Sequence, residues 1–420
     1  MKTLLSGILL TLMAVAVASS MFPQAGKPVE QIAGEPRVAR ALNWVHENLA
    51  WVDEQHIRIT EIPAPTFQES QRGAYIRKLF EQAGLRTRID DVGNVIGERS
   101  GADTKSFILL SAHMDTVFPQ GTDVRVRRNG EHWLAPGVTD NSCGLAALVT
   151  VARALHEGRV RTTLSLAFAA NVGEEGEGNL RGMRRLVEAY GTRLKGVIAI
   201  DGSATDHITT RALGSRRIEV VVTGLGGHSW SDFGLPNPIH AVSRGIARFV
   251  RVRVPDDPRT TFNVGRIEGG TSVNSIPARV SIKVDLRSVA DAEMDKLEKA
   301  LREAIQAGID EEMAAARARG ARLESKFSVI GIRPSGEIPQ DASLLAAIRD
   351  ADGFLGNRSR TEVSSTDANV PLSLGIPAIS IGGGGRGGGG HSLHEWYAPA
   401  GRELGLKRIL LTLLATSGVE

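Results

Sequence analysis

The sequence predicts a layered α/β protein interrupted by a smaller, inserted ferredoxin-like α+β unit. Three observations predict it. Apolar runs that read as strands covered on both faces, Phe107 to Ala112, Thr163 to Asn171 and Gly196 to Ile200, alternate with helical segments as far as residue 201. Between residues 211 and 330 the order becomes strand, helix, strand, strand, helix, strand, which is the ferredoxin-like unit. Beyond residue 330 the α/β texture returns. A length of 420 residues suits two domains, and 42% hydrophobic with 23% charged residues leaves ample material for a core.

In chain order, Met1-Lys2-Thr3, the apolar Leu4 to Ala18 and the small-x-small Ala16-Val17-Ala18 predict a secretory signal over 1–18. A retained membrane anchor is the alternative, ranked lower because the apolar run is shorter than the ~20 residues of a spanning helix and is diluted by Ser6, Gly7 and Thr11. No other stretch could cross a bilayer, so no span is expected after removal of the signal. Export to a periplasm or beyond is the expectation. The lone Cys143 excludes an intramolecular disulfide and reads as a small packed residue. A net charge of +3 without a Lys/Arg block excludes a nucleic-acid partner.

Residues 19–36 read as a leader, loose from Gln24 to Pro36. A catalytic domain is expected over 37–210 and 331–420, with the insert at 211–330. Val38 to Ile59 predicts one long helix, stopped by Ile62-Pro63-Ala64-Pro65. Phe67 to Ala83 predicts another, with Thr66 and Glu69 at capping-box spacing. Asp90 to Glu98 is a strand, and Asn141 to Glu157 an Ala-rich helix directly after Asp140. In the insert, strands are expected at Arg216–Thr223, 260–268, 278–288 and 323–330, and helices at 238–250 and 290–316. Helices at 342–350 and 402–414 flank a short strand at 376–381. Gly382 to Gly390, glycine except for Arg386, reads as a flexible connection or as a place of close approach to substrate.

The chemistry-bearing residues collect at strand ends. His113 and Asp115 close one apolar strand, Glu174-Glu175 follow another, and Asp201 ends a third. Asp140 stands at a turn before a helix, and His391 and His394 leave the glycine loop. Singly, each has an ordinary role as a cap, a solvated edge or a satisfied histidine. Their convergence on one sheet edge is what points to a site. Two histidines with three or four carboxylates suit two divalent cations, zinc first, with manganese or cobalt as alternatives. A paired site of this kind needs one carboxylate to bridge.

These residues resemble the co-catalytic zinc exopeptidases and deacylases that include peptidase T, carboxypeptidase G, succinyl-diaminopimelate desuccinylase and aminoacylase. The resemblance rests on His113-Met114-Asp115-Thr116-Val117-Phe118-Pro119, Asp140, Glu174-Glu175, Asp201, and His391 four residues before Glu395. It extends to Ile267-Glu268-Gly269-Gly270-Thr271-Ser272-Val273-Asn274, Asp285-Leu286-Arg287, Gly226-Gly227-His228-Ser229 and Ser365-Thr366-Asp367-Ala368. It implies a three-layer zinc-exopeptidase-like catalytic domain with the ferredoxin-like insert as a lid, and a homodimer formed through that lid. It further implies that His113 and Asp201 hold one ion, Glu175 and His391 the other, and that Asp140 bridges. Asp115 would orient His113, Glu174 would be the general base, and His228, Asn274 and Arg287 would contact substrate. The implied substrates are di- or short peptides, with N-acyl amino acids as the alternative and a non-catalytic peptide- or metal-binding relative as a third reading. Asp201 in place of glutamate leans toward the di- and tripeptidase branch. Asn141-Ser142-Cys143-Gly144 departs from the family's usual residues after the bridging aspartate.

Overall fold

A computed structural model describes residues 27–318 and 320–420, so the predicted signal at 1–18 lies outside the described residues. Four parallel strands form the centre of a nine-stranded sheet, in the order Leu164–Asn171, Asp103–His113, Leu194–Ile200 and Ala378–Ile381. Every residue from Phe107 to His113 is buried, so helices cover both faces, as a continuous apolar run requires. Parallel pairing brings all four carboxyl ends to one edge. There the chain continues from His113 into Asp115, from Asn171 toward Glu174, from Ile200 into Asp201, and from Ile381 into the glycine loop.

The insert has its own core and its own four-stranded antiparallel sheet, ordered Thr260–Gly269, Arg279–Ser288, Gly214–Thr223 and Glu324–Arg333. Helices Pro238–Phe249 and Asp291–Ala315 complete the ferredoxin-like unit. Ile218, Val220 and Val222 alternate inward at period two, where they meet Leu297, Leu301 and Ile305. Catalytic domain and lid are therefore both present in the mixed α/β fold.

Several elements differ from expectation. The supposedly loose leader is helical from Val29 to Gly34, because Val29 and Ile32 share one apolar stripe that the main core buries. The helix expected over Val38 to Ile59 is two, Pro36–Glu47 and Leu49–Thr60. Asn48 divides them, its side-chain amide donating to the Trp44 carbonyl at 2.8 Å, which is how asparagine competes with a helix. The next helix starts at Ser70, and Thr66 does not cap it. Instead the Thr66 hydroxyl donates to the buried Asp115 carboxylate at 2.9 Å, a stronger acceptor arrangement than a solvated cap provides. Helix Arg181–Tyr190 and strands His207–Ala212 and Arg360–Ser364 are present in addition to the expected elements.

The glycine loop is packed at its start, where Gly382 to Gly385 are buried against protein, whereas Gly389 and Gly390 are exposed. A Cβ on Gly384, at φ 95°, would stand 2.5 Å from the Arg402 carbonyl oxygen, and one on Gly382 would stand 2.2 Å from that of Ala204. No described helix is long and apolar enough to cross a membrane.

Candidate metal centre and active site

At the shared sheet edge the two oxygens of Asp140 face different histidines. Its Oδ1 lies 3.1 Å from His113 Nε2, and its Oδ2 lies 3.0 Å from His391 Nε2. Asp201 Oδ1 stands 3.8 Å from the same His113 nitrogen, and Glu175 Oε1 stands 3.0 Å from the same His391 nitrogen. The result is three overlapping groups, His113–Asp140–Asp201, Asp140–Glu175–His391 and His113–Glu174–Glu175, each with ligand atoms within 4.8 Å of one another. His113 ends a strand, Asp140 and Glu174-Glu175 come from two separate connections, and only the parallel sheet brings them together. His391 occupies the left-handed region at φ 62°, a strained conformation for a non-glycine residue that the surrounding contacts must hold.

Electrostatics show how strongly negative this arrangement is. Burial disfavours a charged imidazole at His113, yet Asp115, Asp140 and Asp201 outweigh it and raise its pKa well above the ordinary value. Asp140 and Glu175 together lift His391 to about 10. Burial would raise Asp140, but the two histidines hold it well below the usual carboxylate range. Asp140 Oδ1 is nonetheless buried without an aligned hydrogen-bond donor. A cluster that draws protons onto two imidazoles carries surplus negative charge, and its nitrogen and oxygen donors fit divalent cations.

The supporting contacts tie the strand-end loops together. The Asp115 carboxylate accepts the backbone N–H of Glu174 at 3.0 Å and that of Glu175 at 2.9 Å. Its own main-chain carbonyl, 3.0 Å from His113 Nδ1, fixes the ring so that Nε2 faces the cluster, and the Asp115 carboxylate stands 3.6 Å from that Nδ1. Glu395, fully buried, accepts backbone N–H groups from Gly137, Thr139 and Asp140 at 2.8, 2.6 and 2.8 Å. Burial raises Glu395 to about 7, against the pull of those three donors. The Cys143 thiol lies 3.0 Å from the Thr139 carbonyl and 2.9 Å from that of Gly202, between the loops of Asp140 and Asp201.

A cavity of about 470 Å³ opens beside the cluster. Glu174 and Arg287 line it, whereas His228 and Asn274 do not. Those two sit on the exposed lid hairpin that pairs Gly227–His228 with Ser275–Ile276. There the His228 Nδ1 accepts the Trp230 N–H at 3.2 Å. His394 faces a separate groove. Arg333, at the end of the last lid strand, is a residue of this cavity that sequence reasoning missed. Its guanidinium donates to Glu174 Oε1 at 2.8 Å and also to the Glu174 carbonyl. Burial raises Glu174 well above the ordinary value, Arg333 opposes that rise, and Glu175 adds to it. Nothing local in Gly331-Ile332-Arg333-Pro334 signals this pairing across domains.

Overlapping histidine and carboxylate groups, opening on a cavity beside a buried carboxylate whose proton affinity is raised, are the equipment of a metal-dependent hydrolase, and this protein is of that class. The match to the model of peptidase family M20/M25/M40 covers residues 109–414, and the chain belongs to that family. It is accordingly a metallopeptidase or amidohydrolase of peptide or N-acyl amide bonds. It is 24% identical over 333 residues to the putative succinyl-diaminopimelate desuccinylase of Mycobacterium tuberculosis, covering 78% of this chain and 88% of that one. Carboxypeptidase G2 of a Pseudomonas species is 26% identical over 299 residues, 68% of each chain. A solved tripeptidase from Staphylococcus aureus superposes with a TM-score of 0.72 at 21% identity, over 87% of this chain and 98% of its own.

Proposed function

We propose that the protein is a dinuclear exopeptidase of di- or short peptides, with zinc as its native metal. The observation that carries this reading is the Asp140 carboxylate, whose two oxygens each face a different histidine. His113 and Asp201 would hold one ion and Glu175 and His391 the other, with Asp140 shared between the two groups. Bound ions of this kind acidify a water and polarise a carbonyl. Glu174, kept close by Arg333, takes a proton from the attacking water and returns it to the leaving amine. Arg287, which lines the cavity, is suited to grip a substrate carboxylate. Export is part of this reading, supported by the composition of residues 1–18. So is a lid-mediated dimer, in which the exposed His228 serves a partner's cavity.

The test is hydrolysis of dipeptides, tripeptides and N-acyl amino acids by the metal-loaded chain beside Glu174→Ala. The expected result is peptide cleavage that falls by roughly 10²–10⁴-fold in the variant while two ions per chain are retained. Turnover of N-acyl amino acids alone would replace the peptidase reading with a deacylase. Inertness of the metal-loaded wild type toward the whole panel would remove the proposed reaction.

A further inference from the structure

The cavity does not end at the ion cluster. It runs along the rim of the main sheet, and strand register defines its far wall. Ser380 pairs with Ala199 on one side and with Thr209 on the other, and Thr209 pairs with Glu362. Paired residues on neighbouring strands share a face, so Ser380, Thr209 and Glu362 form one row, and all three line the cavity. At a strand spacing of about 4.8 Å, Glu362 stands three strands, roughly 14 Å, from the strand that leads into Asp201.

Most charges along this cavity have a partner. Its lid wall carries Arg217, Arg287 and Arg333, of which the first two share Asp285, at 3.6 and 2.7 Å, and the third binds Glu174. Its lining carboxylates, among the described residues, are Asp140, Glu174, Glu175, Asp201 and Glu362. Three of these belong to the proposed ion sites, and Glu174 is paired with Arg333. Glu362 alone has neither an ion nor an arginine assigned to it. It accepts from the Thr209 hydroxyl at 3.2 Å, and its Oε1 lies 3.6 Å from His207 Nε2. That imidazole is shared with Asp206, 3.2 Å from its other nitrogen. A carboxylate that meets only the Thr209 hydroxyl and a shared imidazole, and lines the cavity, is free to face a substrate cation.

We propose that Glu362 and Thr209 form a subsite for a positively charged substrate group, an ammonium or guanidinium carried well away from the scissile carbonyl. Side chains at both ends shorten the 14 Å span to roughly 7–10 Å, which is about two to three residues of extended chain. The group is therefore the α-ammonium of a peptide longer than two residues, or a long basic side chain beside the scissile bond. This inference rests on the hydrolase reading for the identity of the cavity. Glu362 is about one-third exposed (33%), so the discrimination expected is about tenfold and not the larger factor of a buried ion pair.

Calorimetric titration tests it without turnover, using the metal-loaded Glu174→Ala chain as the host. Two matched pairs are compared, a lysine dipeptide against its norleucine analogue and a tripeptide with a free against an acetylated N-terminus. The expected result is about tenfold tighter binding of the cationic member of one pair, abolished by adding Glu362→Gln and inverted toward an acidic analogue by Glu362→Lys. The pair that responds identifies the source of the charge. Equal affinities within both pairs, a preference that survives Glu362→Gln, or failure of every peptide to bind would each overturn the subsite. Failure of the wild type to hydrolyse peptides would count only against the proposed reaction, because these affinities are read from a chain that cannot turn over.

Discussion

Replacing Glu395 with alanine removes one carboxylate that accepts three backbone donors, from Gly137, Thr139 and Asp140. Above about pH 7, where Glu395 is ionised, each hydrogen bond to it contributes about 1.5–3 kcal/mol, and all three donors face a fully buried side chain. Relaxation of the turn and entry of water recover part of the sum, which leaves a net loss of about 3–5 kcal/mol. Glu395 follows His391 by four residues, so the same side chain fixes the Asp140 turn relative to the segment bearing the second histidine. The loss therefore divides between folding stability and ion affinity. If about 3 kcal/mol falls on the turn, ion binding weakens by roughly 100-fold, at about 1.4 kcal/mol per decade. Chelator-competition titration of zinc, together with urea unfolding of the metal-free chain, measures both parts. Glu395→Gln keeps one acceptor oxygen and should lie between the wild type and Glu395→Ala. An alanine variant with both ion affinities within twofold of wild type and an unchanged urea midpoint would refute the reasoning.

Two further outcomes follow from other contacts. Arg333 favours the charged form of Glu174 against burial, so Arg333→Met should raise the base further and move the acid limb of the kcat/KM profile about one unit to higher pH; a limb that stays in place would separate Arg333 from the base. His56 is fully buried, and burial first, then the Arg402 guanidinium, holds its pKa well below 6.5, while its Nε2 bonds the Val138 carbonyl at 2.5 Å. An unfolded histidine takes up a proton below about pH 6.5 and the folded one does not. Stability from this group is thus complete above about pH 6.5 and falls with decreasing pH by up to about 1.4 kcal/mol per unit. His56→Phe should flatten that slope in urea unfolding series across this range, and a slope identical to wild type would contradict it.

The sequence by itself determined the elements whose signal is local. Apolar runs such as Phe107 to Ala112 mark buried strands because both faces must be covered, and the period-two pattern of Arg216 to Thr223 marks a strand with one buried face. His113, Asp140, Glu174, Glu175, Asp201 and His391 were legible because each sits at the end of such a segment or in a short recognisable motif. Local competition was harder to read. Asn48 split a helix by bonding Trp44, and Thr66 left its expected cap for Asp115, a residue 49 positions away. Only the tertiary structure decided which residues meet across domains and strands. Arg333 reaches Glu174 from a separate domain, Glu395 grips a turn more than 250 residues earlier, and Glu362 joins Thr209 through strand pairing. The physical reason is that periodicity and capping act over a few residues, whereas ion pairs and strand register depend on chain closure over hundreds, which leaves no mark in the local pattern.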